Sequence, residues 1–122
     1  MRIVYMMLFI ATSASLKLAP VLGADGTARP QTVYIDVREP AETASGVVKG
    51  AVLLPTSSIR AKDSLYKAVL AKLSKTDRIE VYCAAGVRAA KFADELKAAG
   101  FNAFNAGGFA DLVKAGKPTT RP

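Results

Sequence analysis

Four short β-branched or aromatic runs, separated by segments of helical periodicity, constrain this chain more than any other feature. They are Thr32–Val37, Ala51–Leu54, Arg78–Tyr82 and Phe101–Ala106, and they read as buried strands. Between them, Leu65, Val69, Leu70 and Leu73 repeat at helical spacing over Ser64–Leu73, with Lys67 and Lys72 outside. Ala89, Ala90, Phe92, Ala93, Leu96 and Ala99 make a second helical face, ended by Gly100. Pro40 suits the first turn of a short helix that Gly46 closes, Thr56 to Ser58 is a candidate cap, and Phe109–Ala115 follows Gly107-Gly108 as a last helix. Strands that alternate with helices and are apolar on both faces predict an α/β fold: a small open parallel sheet covered by helices on both faces. In such sheets, ligands bind beyond the carboxyl ends of the strands.

Both ends of the chain fall outside this pattern. Met1-Arg2 followed by the apolar run Ile3–Ala11 is about half the length needed to cross a bilayer, so it predicts no stable membrane anchor. With Val21-Leu22-Gly23 before Ala24, residues 1–23 read as a secretory signal peptide, although Lys17 also suits an uncleaved amphipathic start. The expectation is an exported protein, periplasmic or secreted, with an N-terminal tail at residues 24–31, the folded domain at 32–118 and a C-terminal tail at 119–122.

Charge excludes more than it suggests. Seventeen Lys and Arg against ten Asp and Glu give +7, falling to +5 without Arg2 and Lys17. These cations are scattered singly and lack interleaved aromatics, which argues for a solvated surface with a mild pull on small anions and against nucleic-acid binding. The chain has one cysteine and no histidine. Cys–His catalysis is therefore excluded, and so is a conventional zinc site. An unpaired cysteine in an oxidising compartment is a reactive thiol, an intermolecular partner or an accident.

That cysteine, Cys83, stands at the end of a strand, ahead of Ala84-Ala85-Gly86-Val87-Arg88 and a helix. The small side chains of Ala84, Ala85 and Gly86 leave the backbone open to a ligand. If the loop curls, its amides and the helix N-terminus converge on the sulfur, which favours an anion and lowers a thiol pKa. The same position also suits a buried Cys acting as a small hydrophobe. Gly107-Gly108 fits a phosphate cradle or a tight turn into the last helix.

Four stretches together resemble the rhodanese family: Asp36-Val37-Arg38-Glu39-Pro40, Gly46-Val47-Val48-Lys49-Gly50-Ala51, Tyr82-Cys83-Ala84-Ala85-Gly86-Val87-Arg88-Ala89-Ala90 and Asn105-Ala106-Gly107-Gly108-Phe109. The match runs in order over about Thr32 to Pro118. The resemblance implies a sulfurtransferase in which Cys83 is the catalytic nucleophile, cycling between thiolate and persulfide. The backbone amides of Ala84, Ala85, Gly86, Val87 and Arg88 would hold the transferred sulfur. Thiosulfate would be the donor and cyanide or a thiol the acceptor, with a protein acceptor a further option and neither metal nor organic cofactor required. The competing reading is a non-enzymatic sulfane-sulfur carrier or sensing domain loaded by a partner.

Departures from the family pattern sharpen these expectations. Val47 replaces a His common in relatives, and Leu112 a common Trp, both at structural positions. Ala84 and Ala85 stand where some active members carry a cation that helps bind the thiosulfate dianion. The six-residue loop from Cys83 to Arg88 is one residue shorter than in the related cell-division-cycle-type phosphatases, and suits a sulfur atom better than a phosphoryl group. Arg88 can bind an anion, or pair with Asp36 or Glu39 and brace the loop; bracing is favoured, with Asp36, Arg38 and Glu39 as its support.

Overall fold

The computed structural model describes Val21, Leu22 and residues 28–122. The signal-peptide expectation therefore falls almost wholly outside the described residues. Strands are β1 (Val21–Leu22), β2 (Ala28–Arg29), β3 (Thr32–Asp36), β4 (Val47–Val48), β5 (Val52–Leu53), β6 (Arg78–Cys83), β7 (Asn102–Gly108) and β8 (Thr119–Thr120). Helices are α1 (Pro40–Thr43), α2 (Thr56–Ala61), α3 (Ser64–Lys72), α4 (Val87–Ala98) and α5 (Phe109–Lys114). A four-stranded sheet in the order β5-β3-β6-β7 carries the domain, and its pairings are all parallel.

Period-two alternation decides which side of this sheet is core. Val33 and Ile35 of β3, Ile79, Val81 and Cys83 of β6, and Ala103 of β7 share one face and are buried. Onto that face α4 lays Ala89, Phe92, Ala93 and Leu96, the three-and-four spacing of an amphipathic helix, and α3 adds Val69. The opposite face is polar toward its amino end, where Arg78 lies over the Phe104 ring. Toward its carboxyl end it is sealed by Tyr82, fully buried and stacked on Phe109 of α5 at 6.0 Å. The Tyr82 hydroxyl accepts the N–H of Val48 at 2.9 Å, tying β4 down over the sheet.

From the central strand β3 the chain crosses to the edge strand β5, then returns to β6 on the other side. The strand order thus reverses between β3 and β6, and the segments following those two strands open a crevice at their carboxyl ends.

The structure departs from the sequence expectations at the margins. Thr56, read as part of a cap, begins the helix α2, in which only Ile59 is buried; a six-residue helix with one apolar anchor leaves little periodicity to detect. Residues 119–122, expected as a tail, supply β8, which pairs antiparallel with β4. In the expected N-terminal tail, Ala28–Arg29 pairs with Val21–Leu22, and the Gln31 N–H donates to the buried Asp77 carboxylate at 3.0 Å. No helix among the described residues is long and apolar enough to cross a membrane.

Candidate active site

Cys83 is the last residue of β6 and is 1% exposed. The loop after it closes at Gly86, whose φ of +101° is the left-handed conformation that glycine adopts without a Cβ clash. This turn reverses the chain into α4 directly over the sulfur. The Gly86 N–H donates to Sγ at 3.0 Å and the Ala89 N–H at 3.4 Å. Burial pushes the Cys83 thiol up, but the N–H groups of Ala89, Ala85, Gly86 and Arg88 outweigh it and hold the pKa below the ordinary thiol value. The start of a twelve-residue helix adds its dipole in the same sense. A recessed sulfur ringed by donors can hold negative charge, whether as thiolate, persulfide or bound anion.

A second segment buttresses the loop from below. Between Val81 and Tyr82 the β6–β7 register shifts by one residue, so that Asn105 faces Val81 but Gly107 faces Tyr82 and Gly108 faces Cys83. The Asn105 amide then donates to the Gly86 carbonyl at 3.1 Å while its oxygen accepts the Gly107 N–H at 2.9 Å. Gly108 has an ordinary φ of −104°, yet a Cβ there would meet the Ala84 carbonyl oxygen at 2.4 Å. Space, not conformation, requires that glycine. The glycine pair thus packs against the Cys83 loop at the turn into α5.

Arg88 finds a different partner from the two expected. Its guanidinium forms a forked pair with Glu42, at 2.8 and 2.9 Å, instead of reaching Asp36 or Glu39. The hydrogen bonds from Arg88, with a further one from the Glu39 N–H, pull the Glu42 carboxyl down to about 2. A cation in the first turn of a helix opposes the dipole, so the pairing with Glu42, not helix stability, accounts for Arg88. Asp36 is engaged elsewhere: it is fully buried and takes the Arg38 guanidinium at 2.8 Å. Arg38 goes on to donate to the Gly46 carbonyl at 2.8 Å and lies 4.2 Å above the Phe109 ring. Glu39 accepts the N–H and hydroxyl of Ser57 at 2.9 and 2.8 Å, joining the β3 exit to α2.

The rim over the sulfur is uncharged. Ala84 and Ala85 are exposed, Val87 is 79% exposed, and the loop's one guanidinium is neutralised by Glu42. Sequence reasoning missed Glu42, Asn105 as a loop support, and Ala89 as a sulfur donor. Glu42 had a signal: the spacing Glu39-x-x-Glu42 after a strand is that of a capping box. A separate cavity of about 560 Å³ lies between Val47, Val52, Leu65 and Val69, and neither Cys83 nor its loop lines it.

Comparison with known proteins agrees with this geometry. The model of the Rhodanese-like domain family matches residues 23–115. Among solved structures, a rhodanese-like domain protein from Staphylococcus aureus is 32% identical, with 69% of this chain and 74% of that one covered and a TM-score of 0.55. A rhodanese with anions from E. coli is 29% identical over 75% of this chain and 99% of its own, at a TM-score of 0.59. A rhodanese-related protein from Thermoplasma volcanium is also 29% identical, covering 73% and 83%, at 0.60. No curated protein matches the chain by sequence. With most of its length matched, its parallel sheet shared with these structures and its single cysteine in a loop of donors, the chain belongs to the rhodanese-like sulfurtransferase family.

Proposed function

We propose that this protein is an exported sulfurtransferase that carries one sulfane sulfur on Cys83. The observation that carries this reading is the pair of N–H groups, from Gly86 and Ala89, directed at a buried sulfur whose pKa is lowered. With thiosulfate as donor, the Cys83 thiolate attacks the outer sulfur. A bond forms between Sγ and that sulfur, the S–S bond of thiosulfate breaks, and sulfite leaves with the electron pair. The persulfide then occupies the ring of loop N–H groups, where its charge is stabilised as the thiolate's was. Cyanide or a thiolate attacks the terminal sulfur and the electron pair returns to Sγ. Ala84 to Arg88 supply backbone, not side-chain chemistry, in this scheme. The anions in the E. coli relative are consistent with an anion-accepting site of this kind.

The uncharged rim of Ala84, Ala85 and Val87 favours a second reading, a sulfur carrier loaded by a partner and slow with free thiosulfate. Steady-state thiocyanate formation from thiosulfate and cyanide separates the two. Sustained turnover that Cys83→Ser abolishes supports the enzyme. A single stoichiometric transfer without turnover supports the carrier.

A further inference from the structure

Glu42 meets the Cys83 loop through Arg88, and the geometry of that meeting is fixed. The short helix α1 starts at Pro40, and the Glu39-x-x-Glu42 spacing turns the Glu42 carboxylate back onto the start of its own helix. One oxygen, Oε1, accepts both the Glu39 N–H at 2.9 Å and Arg88 Nη1 at 2.8 Å. The other, Oε2, accepts Arg88 Nη2 at 2.9 Å. A backbone donor on one side and a forked guanidinium on the other hold the carboxylate in place. Both side chains are still part-exposed, so the pair stands at the surface beside the loop and not in the core.

Arg88 is the one cation in the stretch from Cys83 to Arg88. Hydrogen bonding to Glu42 raises its pKa against the pull of burial, and the charges of Glu42, Cys83 and Glu39 raise it further. The guanidinium therefore lies within electrostatic reach of the sulfur. Glu42 cancels that field, and the Glu39 carboxylate, held by Ser57 at 2.8 and 2.9 Å, adds a second negative charge within the same reach. Asp36 and Arg38 form a closed, buried pair that contributes neither sign. Ala84, Ala85 and Val87 on the rim are exposed and uncharged. Arg60, Lys62 and Lys91 line a groove that none of residues 83–87 reaches.

An anionic donor arriving at this site meets a negative thiolate and no unpaired cation of the loop. The loop N–H groups offset part of the repulsion through their dipoles, and only a cation could offset the rest. Coulomb attraction to a cation scales with the donor's charge, so withholding Arg88 weakens the binding of a dianion about twice as much as that of a monoanion. We propose that Glu42 determines donor specificity: by occupying Arg88 it selects against dianionic sulfur donors such as thiosulfate and in favour of monoanionic donors of the same chemistry, the organic thiosulfonates. This rests on the persulfide reading above. Glu42 acts through Arg88 and touches no substrate, so its role is positioning. In the step itself the Cys83 thiolate attacks the outer sulfur of the thiosulfonate and a bond forms from Sγ to that sulfur. The S–S bond of the donor breaks, and the sulfinate leaves with the electron pair. Total charge is unchanged, and the step needs no oxidant or reductant.

The test follows sulfur uptake by the reduced protein, as the gain of one sulfur atom in intact mass, from thiosulfate and from methanethiosulfonate at several concentrations. Glu42→Gln keeps an oxygen for Arg88 but removes the charge. At low salt it should speed uptake from thiosulfate about fivefold and from methanethiosulfonate about twofold, the scale of one exposed ionic contact to two charges and to one. The gain should lie in the half-saturating concentration, not in the limiting rate, and should shrink in high salt. A merely structural role would instead slow both donors together and leave their ratio unchanged. Glu42→Asp keeps the charge and should keep the wild-type ratio. Adding Arg88→Gln to Glu42→Gln should restore that ratio, and Asp94→Asn, which removes the same charge from an exposed position on α4, should not alter it. Slower uptake from both donors in Glu42→Gln, an equal change for the two, or a raised ratio that survives Arg88→Gln would overturn the proposal and leave the persulfide reading standing. A wild-type protein that takes up sulfur from neither donor nor from polysulfide would overturn the persulfide reading, and the proposal with it.

Discussion

Gly108→Ala isolates the contact between the last strand and the cysteine loop. The added Cβ would sit 2.4 Å from the Ala84 carbonyl oxygen and 3.3 Å from the Ala85 Cα. Both are backbone atoms, so no side chain can swing aside, and relief needs the loop or strand to move by nearly 1 Å. Overpacking of this kind costs about 1–3 kcal/mol. For a domain of this size that lowers Tm by roughly 5–15 °C. The displaced residues adjoin Cys83, whose hydrogen bonds from Gly86 and Ala89 measure 3.0 and 3.4 Å. Loss of one charge-assisted bond, about 1.5 kcal/mol, lowers the thiolate population by about tenfold when the pH lies below the pKa. Iodoacetamide alkylation below neutrality should slow accordingly, and sulfur uptake with it. Gly107→Ala is the contrast: it meets open space but must hold φ +90°, so it should destabilise through backbone strain with less effect on alkylation. Wild-type melting and wild-type alkylation in Gly108→Ala would refute the claim that this close approach sets the loop.

Arg88→Lys keeps the charge but loses the fork to Glu42. Because each partner is about one-third exposed, the expected loss is about 0.5–1 kcal/mol, a fall of roughly 2–8 °C in Tm, accompanied by lower turnover. Unchanged melting with only a raised KM for thiosulfate would mean that Arg88 binds substrate. The Glu42 carboxyl is depressed from 4.5 to about 2, so its stabilisation is complete above pH 4.5 and disappears as the pH falls toward 2. Acid titration of Tm should therefore be steeper across that window in the wild type than in Glu42→Gln; superimposable curves would remove the ion pair from the stability account. N-terminal sequencing of the protein from its own compartment should begin at Ala24, and intact Met1 in a soluble cytoplasmic fraction would contradict export.

The sheet was legible because its strands are short, β-branched and separated by helices with clear periodicity; Val33, Ile35, Ile79 and Val81 announce the core through their side-chain type alone. Cys83 was legible for a local reason, since a strand, a small-residue loop and a helix adjoin in sequence. The partner of Arg88 was not, because Glu42 lies 46 residues away and three acidic residues, Asp36, Glu39 and Glu42, stand close together in sequence at and just after the end of β3. Only the backbone path through Pro40, which starts a helix and turns Glu42 toward the loop, chooses among Asp36, Glu39 and Glu42. The Asn105 brace was hidden in the same way, since it depends on a one-residue register shift that no side-chain pattern in β7 signals. The β4–β8 pair joins segments too short and too far apart for periodicity to connect them.

Intact mass tests the central claim most directly. The protein, reduced and then incubated with thiosulfate or polysulfide, should gain about 32 Da, one sulfur atom, as a cysteine persulfide. Cyanide should return it to the starting mass with release of thiocyanate, and Cys83→Ser should show neither change while melting as a folded domain. A wild-type protein that gains no sulfur and alkylates no faster than a free thiol would contradict the account, leaving Cys83 as a core side chain.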